Sequence, residues 1–131
     1  MSNHLHLIVA AKEGYQLSNI IRDFKRHTSK AIIKEISKNY KESRKEWMLR
    51  LFKYFAKYNE NNSTYQVWKR DNYPIELVKE EWIFQKLNYI HQNPVRAGIT
   101  AKPTDYLYSS ARNYSKLKSP LDVELITDFD F

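Results

Sequence analysis

The sequence predicts a small α+β domain, on three observations. Its 131 residues suit a single domain. A short alternating segment near the start is typical of a strand, and three longer stretches carry apolar residues at helical spacing. An apolar fraction of 42% is enough for a packed core and excludes wholesale disorder. We therefore expect one domain over residues 1–131, with few strands and several helices.

A strand and a long helix are predicted first along the chain. Residues 3–9 alternate, so Leu5, Leu7 and Val9 share one face of a strand and the histidines lie on the other. After Gly14 the apolar spacing predicts a helix over 18–37. The predicted apolar stripe consists of Leu17, Ile20, Ile21, Phe24, Ala31, Ile32 and Ile36.

The rest of the chain predicts further helices and one more strand. Apolar spacing favours helices over 46–58 and 76–92, and a short helical stretch over 109–114. Residues 59–64 are typical of a loop, and residues 64–69 are rich in β-forming residues. Pro94 is expected to end the third helix, because proline lacks an N–H and disfavours helical backbone at Asn93. Gly98 permits the turn that follows.

Composition excludes several classes of protein. The chain has no cysteine, which excludes disulfides, thiol nucleophiles and thiolate metal sites. No apolar run approaches the roughly 18 residues of a membrane span, and the first apolar stretch is too short for a signal peptide. We therefore expect a soluble, cytoplasmic protein with no membrane partner.

The positive charge is concentrated in the middle of the chain. The formal net charge is +7, and residues 22–57 hold twelve basic residues against four acidic ones, whereas residues 119–131 form an acidic tail. This distribution favours a nucleic-acid partner, although surface helices are often lysine-rich for solubility alone. The candidate DNA-binding residues on the first predicted helix are Arg22, Lys25, Arg26, Lys30 and Lys34.

Two pairs of residues could take part in catalysis or metal binding. His4 and His6 would lie on one face of a strand, roughly 7 Å apart at Cα, where they could share a divalent cation. Tyr89 and Asn93 lie one helical turn apart. Each pair also has a structural interpretation: such histidine pairs are common on exposed strands, and Tyr89 could be a half-buried structural tyrosine. Taken together they suggest a phenol attacking a phosphodiester beside a metal ion.

The same residues resemble a known family. The opening MSNHLHLIV resembles the histidine strand of the single-tyrosine HUH transposases. NYIHQNPVRAGI at residues 88–99 and DYLYSS at 105–110 resemble the REP-associated tyrosine transposase branch of that family, as do residues 22–30 and 65–77. The resemblance covers most of residues 1–115.

The resemblance implies a fold and a reaction. The fold is a ferredoxin-like or RRM-like sheet flanked by helices, commonly as a homodimer. Tyr89 corresponds to the nucleophile, and His4, His6 and Asn93 to the ligands of Mg²⁺ or Mn²⁺. Such proteins nick and rejoin hairpin-bearing single-stranded DNA through a 5′-phosphotyrosine intermediate. The expected setting is a DNA-associated protein of the prokaryotic cytoplasm.

One departure from the family leads to a further expectation. Met1 stands at the methionine that is normally internal to the histidine motif, and Ser2 stands where proline is usual. We therefore expect an N-terminally truncated fold that lacks a strand and a helix, with the exposed sheet edge covered by dimerisation. Two alternatives stay open: a truncated remnant that only binds structured single-stranded DNA, and a metal-dependent phosphodiesterase that uses water as nucleophile.

Overall fold

The computed structural model describes residues 3–58 and 64–127, and this part of the chain is helical. The helices are α1 (Leu17–Lys38), α2 (Lys45–Ala56), α3 (Glu80–Arg96) and α4 (Ala111–Tyr114), with a 3₁₀ turn at Pro103–Asp105. The chain divides into two compact units. We call them the basic unit (Ala10–Pro74) and the composite unit (Met1–Val9 with Ile75–Phe131).

The predicted sheet is absent from the described residues. Neither 3–9 nor 64–69 forms a strand, so the expectation of an α+β fold with a ferredoxin-like or RRM-like sheet is wrong there. Alternation determines which side chains share a face, but a strand also needs a neighbour with which to exchange backbone hydrogen bonds. Within the described chain, residues 3–11 make no backbone–backbone hydrogen bonds, and Leu5 and Leu7 are each 50% exposed.

In the basic unit, residues 64–70 pack on helices instead of pairing as a strand. The backbone N–H of Gln66 donates to the carbonyl of Phe52 in α2 at 3.0 Å. The Trp68 indole N–H donates to the Thr28 hydroxyl in α1 at 2.8 Å, and its ring lies 5.9 Å from that of Phe24. The β-forming residues of this segment therefore serve to attach it to the helix pair.

The less exposed face of α1 is rotated from the predicted stripe. The helix itself confirms the prediction for 18–37, but Leu17, Ile20 and Phe24 are exposed. The less exposed positions are Ile21, Lys25, Thr28, Ser29, Ile32, Ile33 and Ile36. These positions include Lys25, because tertiary contacts with other segments determine which side of a helix is covered.

In the composite unit, α3 continues past the proline that was expected to end it. Pro94 lies inside α3, and the helix reaches Arg96. The last turn is closed by a cap: the N–H of Ile99 donates to the Pro94 carbonyl and that of Gly98 to the Val95 carbonyl, each at 2.9 Å. Gly98 has φ of +68°, which confirms its predicted role in the turn. The cap supplies donors to the Pro94 and Val95 carbonyls at the end of the helix.

Side-chain bonds to the backbone hold the chain after α3. Arg112 donates to the carbonyls of Thr104 and Lys118, each at 2.8 Å, and the Tyr114 hydroxyl accepts from the Ile126 N–H at 2.9 Å. Within the described ranges, no helix is both long and apolar enough to cross a membrane. The end of the predicted acidic tail (128–131), most of the predicted loop (59–63) and the first two residues lie outside the described residues.

Candidate active site

Two histidines near the start of the composite unit lie side by side. The ring centroids of His4 and His6 are 5.0 Å apart, edge to face. Nδ1 of His4 is 2.7 Å from the Asn3 side-chain oxygen, which orients the first ring. The predicted proximity of the two imidazoles is therefore present without a paired strand.

Tyr89 of α3 meets this histidine pair. The centroid of its ring is 5.9 Å from that of His6, and 45% of the residue is exposed. These two residues are far apart in sequence, and their contact follows from the fold of the composite unit. Because Tyr89 is exposed, an external phosphate can approach its phenol.

The electrostatic setting favours a neutral ring at His6. Partial burial lowers the pKa of the His6 imidazole, and His4 beside it lowers the pKa further. A neutral imidazole keeps a lone pair available for a metal ion, whereas a protonated one does not.

Asn93 is the third predicted ligand, and it is buried. Only 8% of the residue is exposed, and its Nδ2 atom has no hydrogen-bond partner among the described residues. Oxygen and nitrogen of an amide exchange places on a half-turn. The unpartnered end can therefore present the carbonyl oxygen, the atom that a cation would need.

The donor types present here fit a divalent cation. Within residues 3–58 and 64–127, no group of three or more histidine, cysteine, aspartate or glutamate side chains is positioned to hold a metal. An amide or an external oxygen would therefore have to complete the shell offered by His4 and His6. Imidazole nitrogen favours a transition metal such as Mn²⁺, because Mg²⁺ prefers oxygen ligands.

Arg96 is a candidate functional residue that the sequence reasoning missed. Its guanidinium carbon lies 5.4 Å from the centroid of the Tyr89 ring. It makes no salt bridge with a carboxylate of the described chain, so its donors can reach a phosphate. The sequence could have indicated it, because Arg96 comes seven residues after Tyr89 and therefore lies two turns along the same helix face.

His91 has a structural role instead. Its Nε2 is 2.9 Å from the Ser110 hydroxyl oxygen, and its ring lies 5.4 Å from that of Tyr114. Burial lowers the pKa of His91. These contacts join α3, which carries Tyr89, to the start of α4.

The five predicted DNA-binding residues of α1 differ in their surroundings. Arg26, Lys30 and Lys34 are exposed. Arg22 is exposed too, but its guanidinium donates to Asp23 at 3.0 and 3.2 Å and to Asn19 at 3.0 Å. Lys25 is turned inward.

The inward position of Lys25 gives it a structural contact. Its Nζ donates to the carbonyls of Lys69 at 2.7 Å and Arg70 at 3.4 Å. Four of the five residues thus form an exposed basic stripe, which we define as Arg22, Arg26, Lys30 and Lys34, at i, i+4 spacing along α1.

A comparison with protein families gives one match. The family model described as "Transposase IS200 like" matches residues 1–73. No curated protein and no solved structure matches the chain. The matched region contains both histidines, α1 and α2, whereas Tyr89 and Asn93 lie beyond it.

Proposed function

Because the chain belongs to the IS200-like transposase family, we propose that it nicks and rejoins hairpin-bearing single-stranded DNA with Tyr89 as nucleophile. The observation that carries this proposal is the contact between the His6 and Tyr89 rings at 5.9 Å, with His4 adjacent at 5.0 Å. The motif at residues 88–99 further supports assignment to the REP-associated tyrosine branch. The predicted N-terminal truncation stays a prediction.

The proposed cut is a transesterification. The Tyr89 oxygen forms a bond to phosphorus while the bond between phosphorus and the 3′ oxygen of the preceding nucleotide breaks. The phenol gives up its proton and the departing 3′ oxygen gains one. The products are a 5′-phosphotyrosine link and a free 3′-hydroxyl, and rejoining is the reverse attack by a 3′-hydroxyl. No nucleotide cofactor is needed, because one phosphodiester replaces another.

The chain's own residues have distinct roles in this scheme. His4, His6 and Asn93 would hold Mn²⁺ or Mg²⁺, which when bound supplies positive charge to the phosphate oxygens. Tyr89 attacks, and Arg96 beside its ring contacts the same phosphate. The predicted homodimer rests on the family resemblance alone, since the described residues offer no sheet edge for it.

The basic stripe of α1 is proposed to hold the DNA backbone. Its cations follow one another at about 6 Å along the helix, from the rise per residue, and all four are exposed. Contacts to phosphates give binding that weakens with salt, by a slope of about 0.7 per contact for a single strand. Replacing Arg26, Lys30 and Lys34 with alanine should therefore flatten the salt dependence by about 2, and an unchanged slope would exclude the stripe from the interface.

A denaturing gel tests the proposed nucleophile. The full chain is incubated with hairpin-bearing single-stranded DNA and Mn²⁺, and covalent adducts are resolved after denaturation. We expect an adduct that disappears in Tyr89→Phe. Tyr108→Phe is the matched control, because it removes the same hydroxyl from another exposed tyrosine of the composite unit and should leave the adduct intact.

The remaining outcomes separate the alternatives. Cleavage that persists in Tyr89→Phe indicates water as nucleophile and contradicts the proposed intermediate. Salt-sensitive binding with no adduct in the unmodified chain indicates a module that only binds DNA. The double change His4→Ala, His6→Ala should abolish metal-dependent cleavage with little effect on binding. His27→Ala, at an exposed histidine of α1, is its control, and cleavage that survives the double change would refute the metal assignment.

A further inference from the structure

The face of α2 turned away from its covered residues carries a group of exposed aromatic side chains. Trp47 is 59% exposed, Tyr58 in the turn after the helix is 73% exposed, and Tyr54 and Phe55 are about half exposed. Trp47 and Tyr54 lie seven residues apart, on one face of the helix. We call these four residues the aromatic face of α2.

The rings of this group are organised by contacts among themselves. The Tyr54 ring lies 5.6 Å from that of Phe55 and 5.2 Å from that of Tyr58, in both cases edge to face. The Tyr58 hydroxyl donates to the Tyr54 hydroxyl at 3.1 Å. Three rings therefore hold one another in place at the surface, which lowers the entropy lost when a flat ligand stacks on them.

Most of these rings lie away from the covered side of α2. The covered residues of α2 are Lys45, Met48, Leu49, Leu51, Phe52 and Ala56, and α2 contacts α1. Trp47 and Tyr54 lie outside that arc, whereas Phe55 lies at its edge between Leu51 and Met48. A contiguous group of exposed apolar side chains is typical of an interaction surface.

The charges beside the aromatic face indicate what it binds. Arg50, Lys53 and Lys57 are exposed on α2 and the residue after it, and none forms a salt bridge with a carboxylate of the described chain. Aromatic rings next to unpaired cations are the pattern by which proteins bind single strands: bases stack on the rings while phosphates contact the cations. A second copy of this face would bring the same cations against one another, which disfavours a symmetric self-contact.

We propose that the aromatic face of α2 stacks unpaired bases of a single-stranded nucleic acid whose phosphates contact Arg50, Lys53 and Lys57. This inference rests on the proposed function, which makes single-stranded DNA the ligand. It adds a site for the bases to the phosphate contacts proposed for α1. Trp68 is not part of this site, because its indole is partly covered and hydrogen-bonded to Thr28.

The test compares two ligands that share phosphates but differ in bases. A short oligothymidylate and an abasic strand of equal length are titrated with the full chain by fluorescence anisotropy, in the Tyr89→Phe background. Stacking on an aromatic side chain changes affinity by about 5-fold or more per base. We therefore expect Trp47→Leu and Tyr54→Leu each to weaken oligothymidylate binding by at least about 5-fold, with abasic binding and salt slope unchanged.

Tyr15→Leu and Tyr40→Leu are matched controls, since both tyrosines are exposed in the basic unit outside the aromatic face. They should leave both affinities unchanged. Equal losses on the two ligands, or no loss on oligothymidylate, would overturn the proposal. So would a dimer in sedimentation that Trp47→Leu abolishes while DNA affinity stays constant, because that result assigns the face to a second copy.

The Tyr89→Phe background allows this inference and the proposed function to be tested independently. Cleavage is not needed for the anisotropy signal, so a chain that never cuts DNA can still show stacking. Conversely, a chain that forms the Tyr89 adduct but binds both strands equally retains the proposed function and loses this site.

Discussion

The cap at the end of α3 allows a prediction with a magnitude worked from the structure. Gly98 has φ of +68°, a conformation that costs an L-residue roughly 1–2 kcal/mol. A Cβ added at Gly98 would meet no atom within 4 Å, so no steric clash adds to that cost. Glycine loses more freedom on folding than alanine, by roughly 0.5–1 kcal/mol, which offsets part of it. Gly98→Ala should therefore destabilise the cap by about 1 kcal/mol.

Hydrogen exchange at the Ile99 amide measures this directly, because its N–H donates to the Pro94 carbonyl in the cap. A loss of about 1 kcal/mol corresponds to exchange about 5-fold faster. Gly98→Asn should show a smaller increase, since asparagine tolerates the left-handed conformation.

Gly14→Ala is the control for an effect that is not local. Gly14 also has a positive φ, of +83°, and equally open surroundings, but it belongs to the basic unit. Its substitution should leave exchange at Ile99 unchanged. Unaltered exchange at Ile99 in Gly98→Ala, or an increase matched by Gly14→Ala, would refute the reasoning, and a change of 100-fold or so would point to a clash.

Three further predictions concern side chains. Arg96→Gln should slow adduct formation about 10-fold, because it removes one charged hydrogen bond to the phosphate. DNA affinity should stay nearly constant. An unchanged rate in single-turnover assays would contradict a role for Arg96 at the phosphate. Thr28→Val should destabilise the basic unit by about 1–2 kcal/mol, because the Trp68 indole N–H loses its acceptor. In a double-mutant cycle with Trp68→Phe, measured by denaturant unfolding, the coupling energy between the two positions should be near 1 kcal/mol. A coupling energy of zero would argue against the hydrogen bond. Hydrogen bonds from Arg44 lower the pKa of Glu42 from 4.5 to about 2. The pair therefore stabilises the fold above pH 4.5 and loses that effect as the pH falls toward 2. Arg44→Ala should raise the Glu42 pKa measured by NMR, and an unchanged pKa would contradict the pairing.

The helices were predictable because their signal is local. Apolar spacing predicted helices over 18–37 and 46–58, and the structure has Leu17–Lys38 and Lys45–Ala56. The third was displaced by four residues at each end, to Glu80–Arg96. The prediction that Pro94 ends the helix was wrong: α3 continues to Arg96, and hydrogen bonds from Gly98 and Ile99 close its last turn.

The strands were not predictable, because pairing depends on a distant segment. Residues 64–69 have strand-forming composition, yet Trp68 finds its partner in the Thr28 hydroxyl of a helix. Lys25 likewise donates to the Lys69 and Arg70 carbonyls, which belong to a segment distant in sequence. Neither outcome can be obtained from spacing along one segment.

By itself, the sequence determined the chemical types at the candidate site and the positive charge of residues 22–57. It also predicted that His4 and His6 would be neighbours, since both belong to one short segment. Only the tertiary structure decided that Tyr89 lies against His6, that Arg96 lies over the phenol ring, and that the rings of α2 remain exposed. The physical reason is range: propensity and periodicity act over a few residues, whereas burial and convergence depend on which distant segments exclude water together.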